Sequence, residues 1–268
     1  MKKIISIIVV LLSILISCNK KEVSKKTSEN IAQTKWVDSI YNKMTLKEKV
    51  GQLFMIAAYS NKDKKHTDSI QKLIRENGIG GLVFFQGGPV RQANQTNLYQ
   101  ATTKVPLLIA MDAEWGLNMR LDSTVRFPYN MTLGAVKNND LVRKIGKKIG
   151  EHCNRLGVHL NFAPVVDINT NSKNPIIGVR SFAEDKYNVT DKALAFTEGL
   201  QSQNVLACAK HFPGHGDTDK DSHKTLPTVV LSKERIDSLE MYPYKKLFHT
   251  GLTSVMTAHL SIPSLESN

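Results

Sequence analysis

Val205-Leu206-Ala207-Cys208-Ala209-Lys210-His211 is a run of five apolar residues closed by two basic ones. A polar loop follows it, Phe212-Pro213-Gly214-His215-Gly216-Asp217-Thr218-Asp219-Lys220-Asp221-Ser222-His223. The apolar part reads as a short buried strand. Basic groups at the end of such a strand cost free energy unless they face a cleft or find partners. That end is therefore read as a pocket wall, with a structural salt bridge as the alternative. The same form occurs upstream, where Leu107-Leu108-Ile109-Ala110-Met111 is closed by Asp112.

Working outward, six segments read as strands: 53–58, 81–85, 107–112, 158–166, 205–211 and 254–259. Helical patterns separate them. Thr45 and Glu48 form a capping box; Ile70, Leu73 and Ile74 make a stripe that stops at Asn77-Gly78; Leu141, Ile145, Ile149 and Cys153 recur every fourth residue until Gly157. Residues 193–200 and 236–248 supply two more. This alternation predicts βα units and a parallel sheet, an α/β chain of the TIM-type (β/α)8 barrel. Residues 36–268 form one such domain, with no internal repeat and no second compositional region. Six or seven strands are visible rather than eight, so the barrel is expected to be truncated before its last strand or strands.

The N-terminus is of another kind. Lys2 and Lys3 precede an apolar stretch from Ile4 to Ile16 broken only by Ser6 and Ser13, as in a secretory signal. It falls short of the ~20 apolar residues a membrane span needs. Leu15-Ile16-Ser17-Cys18 looks like a lipobox, which implies a signal peptide at 1–17 and acylation of Cys18. Residues 18–35 are polar and are expected to form a disordered tether. The predicted location is outside the cytoplasm, lipid-anchored to a bacterial envelope membrane.

Formal net charge is +12, spread along the chain rather than gathered on one Arg-rich or aromatic face, which argues against a nucleic-acid partner. Cys153 and Cys208 lie in apolar segments and are read as two buried free thiols, with a disulfide between them in an oxidising compartment as the alternative.

The loop after residue 211 holds the most chemistry. Asp221 and His223, two apart in an extended loop, face the same side. A carboxylate beside an imidazole fixes its tautomer and supports general acid/base work near neutral pH. Asp217, Asp219 and Asp221 imitate the start of a calcium loop, but Ser222 stands where glycine is required and Thr228 where a bidentate Glu is. Zinc on His211, His215 and His223 is a further alternative; the preferred reading has no metal and no cofactor.

Together, Lys210-His211-Phe212-Pro213-Gly214-His215-Gly216, Asp221-Ser222-His223 and Leu226-Pro227 resemble the hallmark of the β-N-acetylglucosaminidase branch of glycoside hydrolase family 3. Ile109-Ala110-Met111-Asp112-Ala113-Glu114-Trp115-Gly116 with Arg120, Asn161-Phe162-Ala163-Pro164-Val165-Val166-Asp167, and Gly178-Val179-Arg180-Ser181-Phe182 resemble further family segments in order. The resemblance implies a retaining glycosidase acting on terminal non-reducing β-linked N-acetylhexosamine. Asp112, Arg120, Arg180, Lys210 and His211 would bind the terminal sugar, with the basic residues as donors, and Asp221 and His223 would form the acid/base dyad. The nucleophile is expected to be an aspartate beyond Asn268, so the isolated fragment is expected to be inactive. The implied partners are an oligosaccharide of peptidoglycan or chitin type and, through Cys18, a membrane. The rival readings are a β-glucosidase of the same family, a phosphorolytic variant, a metal-dependent hydrolase and a sugar-binding lipoprotein without turnover.

Overall fold

The computed structural model describes residues 31–221 and 223–266. The signal segment, Cys18 and the tether before residue 31 lie outside them. The described residues fall into two units, one ending at Gly51 and the other beginning at Gln52. In the first, residues 31–41 are helical, so helix begins inside the segment expected to be a tether. Polarity alone argued for disorder there, but 31–41 contains neither Gly nor Pro and carries Ile31, Ala32 and Ile40. The helix Leu46–Gly51 starts with the expected capping box: Glu48 N donates to Thr45 Oγ1 (3.2 Å) and Thr45 N to Glu48 Oε2 (2.9 Å).

The second unit runs β1 (Met55–Ala58), α1 (Lys64–Asn77), β2 (Gly81–Phe84), α2 (Pro89–Thr102), β3 (Leu108–Met111), α3 (Asn130–Gly134), α4 (Asn139–Arg155), β4 (Leu160–Asn161), α5 (Lys186–Gln201), β5 (Leu206–Phe212), α6 (Tyr242–Phe248) and β6 (Ser254–Thr257). The six strands pair side by side in chain order, every pair parallel. One face packs under the helices in the main core, where Leu82, Ile109, Ala207 and Ala209 meet Ile74, Ile149, Phe196 and Leu247. Side chains on the other face form a second cluster. Ala110, Leu160 and Cys208 gather Met55 of β1, Val83 of β2, Phe162 and Met256 of β6. One cluster fed by all six strands requires a sheet curled about its own interior, the packing of a (β/α) barrel. A closed barrel has eight strands; the described residues supply six.

Several departures from the sequence reading have physical causes. Helix α2 shows no apolar stripe because its buried face holds Gln92, Thr96 and Tyr99, with Gln92 Nε2 donating to Thr96 Oγ1 at 2.7 Å. In α4 Leu141 is exposed and Val142 buried. The buried stripe includes Gly146 and Gly150, where α5 comes so close that an added Cβ would meet Phe196 O at 2.4 Å and Leu200 O at 2.9 Å. Counting apolar residues misses a face made of glycine. The helix expected over 236–248 splits into a π turn, Ile236–Glu240, and α6, where Pro243 withholds an N–H. β4 keeps two paired residues instead of nine; beyond them Pro164 has no N–H to donate, and the segment stays beside β5 through Cys208 N to Ala163 O (2.9 Å), Lys210 N to Pro164 O (3.1 Å) and the bridge Val165↔Lys210. Cys153 and Cys208 are buried free thiols, the first facing the helical core and the second the barrel interior.

Candidate active site

Strand periodicity carries the interior row upward. Ala110 and Cys208 face inward, so Asp112 and Lys210, two residues further on, face inward at the C-terminal ends of β3 and β5. They meet there: Lys210 Nζ lies 2.5 Å from Asp112 Oδ1, and Arg120 Nη2 donates to Asp112 Oδ2 at 3.0 Å. Arg120 Nε also caps the Asp112 carbonyl at 3.1 Å, and its guanidinium lies over the Phe85 ring at 4.8 Å.

Glu114 repeats the inward step once more. Its carboxylate is 2.8 Å from Lys210 Nζ and takes a two-pronged bond from Arg180, Nη2 to Oε1 at 2.7 Å and Nε to Oε2 at 3.0 Å. Burial alone pushes a carboxyl's pKa up; here the combined pull of Lys210 and Arg180 outweighs it and holds Glu114 down at about 2. At Arg180 burial is more than offset by Glu114, with Asp167 and Asp112 adding to it, and the pKa is raised.

Asp167 organises the other side. It follows Val165-Val166, and its side chain is fully buried. Oδ1 accepts from the backbone N–H groups of His211 (3.2 Å) and His215 (2.7 Å), and Oδ2 lies 2.7 Å from His211 Nδ1. Burial works against its ionised form, but His211 and these donors win and keep Asp167 below the usual carboxylate range. Asn174 ties the loops further, donating to the carbonyls of His215 (2.8 Å) and Gly216 (3.2 Å) and accepting from Ile176 N and Ile177 N. His215 Nδ1 meets Thr218 Oγ1 at 2.7 Å, and burial lowers its pKa.

The structure thus brings Asp112, Arg120, Arg180, Lys210 and His211 into one bonded cluster. Asp221 and His223 form a pair of their own: His223 Nδ1 is 2.9 Å from Asp221 Oδ1, which also accepts His223 N at 2.9 Å. The imidazole is 80% exposed, and among the described residues no hydrogen bond or ion pair joins the pair to the cluster. The backbone and side-chain donors of His223 lower the Asp221 pKa. Asp217 faces Arg235 at 4.0 Å and Asp237 pairs with Lys245. No group of three or more His, Cys, Asp or Glu is arranged to hold a metal among the described residues.

Sequence reasoning assigned no role to Glu114, Asp167 or Asn174. Glu114 could have been found by its two-residue step from Asp112, and Asp167 by the form already noted at Asp112, a carboxylate closing an apolar run. Asn174 has no such signal in an irregular loop.

Residues 45–268 match the Glycosyl hydrolase family 3 N terminal domain. The chain belongs to glycoside hydrolase family 3. Among curated relatives in this family, it is 35% identical over 213 residues to Beta-hexosaminidase A of Pseudoalteromonas piscicida, covering 74% of this chain and 36% of that protein. It is 31% identical to the Beta-N-acetylglucosaminidase/beta-glucosidase of Cellulomonas fimi, covering 85% and 40%. Among solved structures, a family 3 beta-N-acetylglucosaminidase from Paenibacillus sp. str. FPU-7 superposes with TM-score 0.78 at 39% identity, over 84% of this chain and 44% of that one. NagZ from Neisseria gonorrhoeae in complex with N-trifluoroacetyl-D-glucosamine gives 0.70 at 26%, over 80% and 65%. The chain therefore spans between about a third and two thirds of the length of these relatives.

Proposed function

We propose that this chain is the sugar-binding and acid/base part of a retaining exo-glycosidase that removes terminal β-linked N-acetylglucosamine. The observation that carries the proposal is the pairing of an ion-paired cluster at the strand ends with a histidine–carboxylate dyad 2.9 Å apart on the loop that leaves the same strand, β5. Asp112 accepts hydrogen bonds from the sugar's hydroxyls, and Arg120, Arg180 and Lys210 surround it. His223, backed by Asp221, protonates the leaving oxygen and then activates water, in place of the carboxylic acid of most glycosidases. The names of the Pseudoalteromonas and Paenibacillus relatives support the N-acetylhexosamine specificity.

The test uses the intact gene product with p-nitrophenyl β-N-acetylglucosaminide and β-glucoside. Faster release from the first is expected; preference for the glucoside would instead favour the β-glucosidase reading, which the double name of the Cellulomonas relative supports. His223→Ala should spare a substrate with an activated phenolate leaving group far more than a natural disaccharide. Equal loss on both would remove His223 from the acid/base role.

We further propose that residues 1–17 are a signal peptide and that lipid on Cys18 anchors the protein to an envelope membrane, facing peptidoglycan or chitin-type fragments. Cys18→Ala should then release it from the membrane fraction.

A further inference from the structure

The imidazole of His211 lies between two groups of fixed hydrogen-bonding sense. Its Nδ1 is 2.7 Å from Asp167 Oδ2, and its Nε2 is 3.4 Å from Arg180 Nη2. Asp167, fully buried and already receiving the N–H groups of His211 and His215, is ionised and only accepts. Arg180 only donates, and its bidentate bond to Glu114 fixes the plane of its guanidinium. A neutral imidazole carries one N–H and one lone pair. One tautomer alone serves both neighbours, with the proton on Nδ1 and the lone pair on Nε2.

We propose that Asp167 is a positioning residue that fixes His211 as the Nδ1–H tautomer, and that a hydroxyl of the bound sugar takes over from Arg180 Nη2, 3.4 Å away, as the donor to the single Nε2 lone pair. The sequence resemblance implies a donor at this position, and the structure assigns the opposite sense. Arg120, Arg180 and Lys210 can only donate, so His211 becomes a basic residue of this cluster that detects whether a substrate oxygen bears a hydrogen. The acceptor role rests on the reading of the cleft as a sugar site; the tautomer does not.

The experiment is long-range 1H–15N correlation of the full chain labelled with 15N-histidine at pH 7, with the His211 ring assigned by its loss in His211→Gln. A protonated Nδ1 and unprotonated Nε2 are expected; an Nε2–H or doubly protonated ring overturns the assignment. Because that result comes from the wild-type protein, it holds even if substitution at Asp167 impairs folding. In a folded Asp167→Asn protein, the carboxamide NH2 can donate to Nδ1 and should convert the ring to Nε2–H. Retention of Nδ1–H would show that Asp167 does not set the tautomer. Added N-acetylglucosamine should then shift the Nε2 resonance while Nδ1 stays. If the amides of Asp112 and Lys210 respond but Nε2 does not, the acceptor role fails. If nothing responds, the sugar-site reading fails and takes the acceptor role with it, while the tautomer stands on the first spectrum.

Discussion

Asp112 and Asp221 each hold a basic partner within 3 Å, and their side chains are equally accessible at about a fifth, yet the two pairs are built for different work. The partner of Asp112 is Lys210, 2% exposed, braced in turn by the wholly buried Glu114, which Arg180 holds from its other side. The partner of Asp221 is His223, 80% exposed on a loop. The first pair belongs to a largely buried network anchored at strand ends, where each charge helps to offset its neighbours. The second is a short local contact that water can replace. Burying charge makes the strand-end cluster part of the fold, whereas the proposed acid/base dyad keeps its imidazole in solvent.

The sharpest way to break this comparison is Glu114→Ala, which leaves Lys210 and Arg180 short of their buried counter-charge. It should destabilise the full chain by roughly 3–5 kcal/mol in urea denaturation; a loss below 1 kcal/mol would mean that the cluster is no more structural than the dyad. Acid titration tests the same network. The folded pKa of Glu114 is depressed from 4.5 to about 2, so its contribution is complete above the unfolded value and is lost as pH falls through that window. The shift corresponds to about 3 kcal/mol, and Asp167 acts in the same direction. Unfolding free energy should fall from pH 5 to pH 2, with a shallower slope in Glu114→Gln.

Asn174→Ala probes the join between the two regions. It removes the donors to His215 O and Gly216 O and the acceptor for Ile176 N and Ile177 N, and should cost about 1–3 kcal/mol in the same assay. The smallest effect is expected at the dyad, where His223→Ala should change stability by no more than about 0.5 kcal/mol even though it alters turnover. A large loss of stability there would put the loop inside the folded network and erase the contrast.

The six strands were legible because each is a short apolar run, and the ends of β3 and β5 were legible as candidate site positions because a charge interrupts an apolar run there. Asp112, Lys210 and the Asp221/His223 pair follow from adjacency and two-residue spacing alone. Helix α2 was not legible, since Gln92 and Thr96 bury through a mutual hydrogen bond rather than through apolarity. Nor was the true face of α4, made partly of Gly146 and Gly150. What the sequence passed over is the pairing between distant positions: Arg180 meets Glu114 across 66 positions, His211 meets Asp167 across 44 and Lys210 meets Asp112 across 98.

The sequence by itself determined the alternation of strand and helix, the residue types at the strand ends and the local dyad, because these depend on periodicity and near neighbours. Only the tertiary structure decided which charges neutralise one another, which ring nitrogen of His211 faces a carboxylate, and how far each of the two carboxylate pairs is exposed. Those depend on strands far apart in sequence curling around one interior, and ion pairs and buried hydrogen bonds are set by distance in space.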